Sequence, residues 1–248
     1  MISVNNRWKL KALVLSVLMA AGTVLMCTTD TLRRIDLVIY DALIRLQYRD
    51  TPAEVVIIAI DENSLRELGR WPWSRRVHAQ LLDRLTTQGV RGIALDVILA
   101  EAELSDPAAD RSLADAIARN GRVVLPVAPE QGPSGHFISE SLPLPEFAAE
   151  AAALGHVDVE LDVDGFCRSV YLRAGLGDPN WPAFGSALYT VSGGQSQMAA
   201  EPDPHQTGGT RLAWVRDQRI LIPFVDPAVQ PYSMASHPVG SWPLMETT

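Results

Sequence analysis

The chain has 248 residues, of which 47% are apolar and 20% charged, enough to bury one large core or two small ones. Its formal net charge of −8 argues against nucleic acid as a partner, because phosphate binding needs a clustered basic surface.

The N-terminus carries Arg7, Lys9 and Lys11, and then Ala12 to Thr29 reads "ALVLSVLMAAGTVLMCTT" without a charge. At about 1.5 Å per residue this is near the lower limit for spanning a bilayer. The basic flank predicts an uncleaved signal-anchor over 12–29, with residues 1–11 cytoplasmic and the rest outside, periplasmic in a Gram-negative cell. A cleaved signal peptide and a buried core helix are the alternatives.

Thr31 to Tyr48 places Leu32, Ile35, Ile39, Leu43 and Leu46 on one helix face and predicts a stalk or surface helix ended by "RDTP". "VVIIAI" at 55–60 predicts a strand buried on both faces. A helix follows over 76–88, with Ser74 as N-cap and Gly89 just past its end. "GIALDVIL" predicts a second buried strand, "DRSLADAIARNG" a helix opened by Asp110, and "RVVLPVA" a third strand. Strands alternating with helices predict right-handed βαβ units and a mostly parallel sheet, with 55–60 and 93–97 as adjacent central strands. Beyond the loop "GPSG", "LPEFAAEAAALG" reads as a helix closed by Gly155. "HVDVEL" and "CRSVYLRA" read as a hairpin turning at Asp164-Gly165. A helix begins at Pro182, "QMAAEPDPHQTGG" reads as linker, and "RLAWV" with "RILIPF" forms a last hairpin around "RDQ". Residues 226–248 form a weakly structured tail, so the folded domain is expected over 30–225.

Cys27 lies in the apolar run and Cys167 stands alone, so no intrachain disulfide is expected. The five histidines have no i, i+4 pair, and neither a metal nor a cofactor is expected.

The chemistry-bearing residues gather after the first strand. In open parallel sheets, ligands sit beyond the carboxyl ends of strands. Asp61, Glu62, Ser64, Gly69, Arg70, Trp71, Pro72, Trp73 and Arg75 occupy such a loop, ahead of a helix N-terminus that attracts anions, and Asp96 ends the second strand. The rings add flat apolar or cation–π surface, so the loop could grip a small ligand. Alternatively the rings pack on the core and Arg75 pairs with Asp61 or Asp96. The two aspartates could also hold a metal, or be read as a phosphotransfer or hydrolase site. No D-x-D-x-T, G-x-S-x-G or P-loop supports catalysis.

Several blocks resemble the CHASE2 domain, the extracytoplasmic sensory module of bacterial receptors. They are "RIDLVIYDALIRL", "VVIIAIDENSLRELGRWPWSRRVHAQLLDRL", "GIALDVIL", "DPAADRSLADAIARNGRVVLP" and "LGHVDVELDVDGFCRSVYL". The likeness covers roughly 32–190. Asp61, Ser64, Gly69, Trp71, Pro72, Trp73, Arg75, Asp96, Asp110, Asp164, Gly165 and Arg168 match the pattern one by one. It implies a sensor of an unknown small-molecule or environmental signal, with Asp164 and Arg168 joining Asp61, Ser64, Arg70, Trp71, Trp73, Arg75 and Asp96 as ligand-binding candidates. It further implies later membrane helices and an effector: a nucleotide or diguanylate cyclase, a histidine kinase or a Ser/Thr kinase. After Phe224 the pattern is expected to be lost, as in a fragment or truncated gene, and any catalysis is expected outside residues 1–248. The membrane and a second copy of the chain are the expected partners, beside the unknown ligand. A structural or dimerisation module without ligand is the competing reading.

Overall fold

The computed structural model describes residues 4–28, 31–46, 55–132, 137–195, 213–222, 224 and 232–233. The chain divides into two units. The first comprises Met1–Pro52, Leu161–Arg168 and Pro223–Val229. The second comprises Ala53–Glu160, Ser169–Ile222 and Gln230–Thr248.

In the first unit α1 (Val4–Thr28) and α2 (Thr31–Leu46) follow each other in sequence. Among the described side chains of α1, Leu13, Leu15, Leu18 and Val24 are exposed. Among the described residues no helix is long and apolar enough to cross a membrane. The uncharged run extends one residue beyond α1, to Thr29. Ile35, Ile39, Leu43 and Leu46 of α2 are exposed as well. The expected "RDTP" helix end lies outside the described residues.

The second unit runs β1 (Ile58–Ala59), α3 (Glu62–Leu68), α4 (Arg75–Thr87), β2 (Ile93–Ala94), α5 (Pro107–Asn120), β3 (Val123–Gln131), β4 (Phe137–Ser141), α6 (Pro145–Glu150), β5 (Ala153–His156), β6 (Ser169–Leu176), β7 (Trp181–Pro182), α7 (Phe184–Val191), β8 (Trp214–Leu221) and β9 (Tyr232–Ser233). This is a mixed α/β fold. β3 is central: β2 and β5 flank it in parallel, and its far half pairs antiparallel with β4. The core lies between these strands and α4, α5 and α6. There Leu82, Leu99, Leu113, Ile117, Leu125 and Phe147 are fully buried. A second sheet runs β7-β6-β8, antiparallel throughout.

Five expectations are corrected. Residues 55–60 are not a central strand beside 93–97. Only Ile58 and Ala59 pair, in parallel with Tyr232 and Ser233, in a separate sheet, and Val55, Val56, Ile57 and Ile60 are exposed. β-branched residues favour an extended backbone but do not choose its neighbour. The segment after Gly92 is buried on one face only: Ile93, Leu95, Val97 and Leu99 point inward, while Asp96 and Ile98 point out. A truncation to Ala should therefore strike the core at Ile93 and much less at half-buried Ile58. The helix expected to run to Gly155 stops at Glu150, and "ALGH" is strand β5. A Cβ on Gly155 would stand 2.8 Å from the Cα of Phe184, so this glycine permits close backbone approach and does not cap a helix. The turn at Gly165 forms, with a φ of 83°, but β6 takes β7 and β8 as partners and not "HVDVEL". "RLAWV" and "RILIPF" contribute to one strand, β8, because Gln218 absorbs the local irregularity at φ 57° without reversing the chain. The expected linker lies outside the described residues, as does the expected tail apart from Tyr232 and Ser233, which form β9.

Candidate functional site

The 61–75 loop is built by its own caps. Asp61 is the N-cap of α3, a helix absent from the sequence-based expectation; its carboxylate accepts from the Ser64 backbone N–H at 2.8 Å and the Ser64 hydroxyl at 2.6 Å. Gly69 ends α3 at φ 92°, and its carbonyl accepts the Trp73 ring N–H at 2.8 Å. Trp73 is thereby drawn inward, 5% exposed, while Trp71 stays 38% exposed and meets it edge-on at 5.5 Å between ring centroids. The peptide bond between Trp71 and Pro72 is cis. His78 lies 5.6 Å from the Trp71 ring and 6.4 Å from that of Trp73.

The N-terminus of α4 is already occupied. Glu103 Oε2 accepts the Arg75 backbone N–H at 2.7 Å and the Ser74 hydroxyl at 3.2 Å. The Glu103 backbone N–H in turn donates to Asp110 at 2.9 Å. A carboxylate from the chain itself therefore holds the position where a ligand anion was expected. Arg75 pairs with neither Asp61 nor Asp96. Its guanidinium donates to the Glu101 carbonyl at 3.2 Å and stands 3.7 Å from Asp110. Arg70 and Asp96 are exposed. Asp61 and Ser64 thus form one pair, Trp71 and Trp73 join His78, and Arg75 joins Glu103 and Asp110. The sequence pointed to the tryptophans but not to Glu103, which carries no motif and is recognisable only by where its loop ends.

His78 is buried, and neither ring nitrogen has a hydrogen-bond partner among the described residues. Burial, helped by the Arg75 charge, lowers its pKa to about 4. The unfolded chain takes up this proton near pH 6.5, whereas the folded chain refuses it until about pH 4. Stability is therefore full above about 6.5 and falls as the pH drops through that window, by roughly 3 kcal/mol from His78. His156 is lowered by burial too and acts in the same direction. His78→Phe should flatten part of the decline in pH-dependent urea unfolding; an unchanged slope would contradict the assignment.

Asp164 and Arg168 belong to a different cluster, within the first unit. Arg168 is 4% exposed, and all five of its N–H donors are engaged. Nε and Nη2 donate to Asp41 of α2 at 2.8 and 2.7 Å. Nη1 and Nη2 donate to Asp164, both at 2.8 Å, and Nη1 to Asp162 at 3.2 Å. Arg168 also lies 5.2 Å from the Phe166 ring centroid. Its pKa is raised first by Asp41 and then by Asp164, and it holds Asp164 down near 2. Asp41 was not among the sequence candidates, because it looks like an ordinary polar residue on an amphipathic helix.

A third cluster, also unforeseen, ties residues 156–160 to β6 and β8. Asp158 is buried and accepts from the Trp214 ring at 2.9 Å and from Arg216 at 2.6 and 2.9 Å. Burial opposes its charge, but these bonds prevail and its pKa is lowered. Tyr171 donates to Glu160 at 2.6 Å, and its backbone carbonyl lies 3.0 Å from His156 Nε2.

Three clusters of paired charges, around Arg75, Arg168 and Asp158, and an aromatic loop with one exposed indole are the polar features that the described residues bring together. The family model of the CHASE2 domain matches residues 13–238, and the chain belongs to that family. CHASE2 domains are extracytoplasmic, sensory and non-catalytic. The match runs past Phe224, where the family pattern had been expected to be lost. No curated protein and no solved structure matches the chain.

Proposed function

We propose that the chain is the sensory input module of a membrane-bound bacterial signalling receptor. In this reading the uncharged run from Ala12 to Thr29 is its anchor, the N-terminus is cytoplasmic, and the residues after about 30 lie outside. The observation that carries the reading is the extent of the family match. It begins at residue 13, inside the uncharged run, and so takes in the apolar helix together with the α/β domain. The 18 residues from Ala12 to Thr29 would cover about 27 Å as a helix, close to the roughly 30 Å hydrocarbon core. The signal is a small molecule or an environmental change met at the 61–75 loop. Trp71 and Arg70 face outward to receive it, while Asp61, Ser64, Trp73 and Arg75 fix the loop's shape. Asp96 remains a contact candidate by its exposure. Asp164 and Arg168 act through α2 and not on the ligand. The exposed Ile35, Ile39, Leu43 and Leu46 of α2 favour a second reading, a dimerisation module.

Alkaline carbonate extraction tests the anchor. The full chain should remain with the membrane pellet, and a chain lacking residues 1–30 should be released. Release of the full chain would overturn the anchor.

A further inference from the structure

Arg168 joins residues that are distant in sequence: Asp41 lies 127 positions away, in the helix that follows α1, whereas Asp162 and Asp164 belong to Arg168's own turn. These two classes of partner are unequal. If Asp41 lets go, Arg168 keeps three hydrogen bonds to two carboxylates, so no unpaired buried charge is left behind. The Asp41 side chain is 39% exposed and water can take over its oxygens. If Arg168 is removed, Asp41, Asp162 and Asp164 all lose its guanidinium at once. The pair can therefore open on the Asp41 side at small cost while the turn stays shut. Such an asymmetry lets one side exchange between two arrangements while the other side stays fixed.

We propose that Arg168 is a releasable latch, holding α2 to the 161–168 turn through Asp41 and freeing it without unfolding that turn. The proposal rests on the sensory reading for its purpose, since α2 is the segment joining α1 to the rest of the chain. It does not rest on that reading for its test. Arg168 is followed directly by Ser169, the first residue of β6, so a shift of that strand would reach the latch through the backbone.

Hydrogen exchange of the full chain in detergent micelles reads the latch locally. Asp41→Asn should speed exchange over 31–46 by about tenfold or more, with 161–168 and β3 unchanged. Asp164→Asn should leave 31–46 protected, because Arg168 keeps Asp41 and Asp162. Unchanged exchange over 31–46 in Asp41→Asn would overturn the latch. So would loosening of 161–168 or β3 in that variant, since Arg168 would then be a structural pillar. Neither result bears on membrane anchoring, which carbonate extraction decides separately.

Discussion

Trp73→Ala should destabilise the second unit by about 3–5 kcal/mol, while Trp71→Ala should cost less than about 1 kcal/mol. The two rings sit two residues apart in one loop, but their surroundings differ. Trp73 is 5% exposed, and its ring N–H is fixed to the Gly69 carbonyl at 2.8 Å. Truncation would leave a cavity and an unanswered carbonyl at the end of α3. Trp71 is 38% exposed and leans on Trp73 and His78 by ring edges. Urea unfolding of the two variants checks the contrast. If both lost stability equally, the loop would be core throughout and Trp71 would not be available to a ligand. If Trp73→Ala were mild, Trp73 would not be the pin of the loop.

Arg168→Met should cost about 2–4 kcal/mol, and Asp41→Asn clearly less. Removing a buried cation from among its partners ordinarily costs about 3–5 kcal/mol. The lower figure applies here because Asp41 and Asp164 are partly in water and screened. The order of the two variants matters more than either value. Arg168 serves three carboxylates and each carboxylate serves Arg168, so losing the hub leaves like charges in proximity, whereas losing one spoke leaves the hub paired. Equal losses, or a larger loss for Asp41→Asn, would show that Asp41 holds α2 by some route other than Arg168. Acid adds an independent check: with Asp164 held near 2, its contribution persists above about pH 4 and is lost as the pH falls towards 2.

Some local signals translated into local structure and others did not: α5 opens at Pro107 with Asp106 as N-cap, and Asp110 lies inside the helix, buried. Ser74 does cap α4, Gly89 and Gly121 do take positive φ after α4 and α5, and "RVVLPVA" is the buried central strand. Pairing did not translate. The run at 55–60 and the run at 93–99 look alike as strings of Ile and Val, yet one pairs with β9 and stays largely exposed while the other buries alternate residues. Propensity fixes the backbone of a strand, and its partner depends on residues far along the chain. The site behaved in the same way. Trp71, Trp73 and Arg75 could be picked out by type and spacing, and Arg168 by its motif. Glu103 and Asp41 could not, because their significance is that of a partner at distance: 28 residues from Arg75 and 127 from Arg168. No periodicity within a helix or loop records such a pairing.

We propose that the CHASE2 domain of this chain lies outside the membrane, carried there by the uncharged run at 12–29. Reporter fusions placed after residue 190 of the full chain test it most directly. The account predicts high alkaline phosphatase activity and no β-galactosidase activity at that point, with phosphatase activity lost when residues 12–29 are deleted. An inactive phosphatase fusion beside an active β-galactosidase fusion would place the domain in the cytoplasm and contradict the claim.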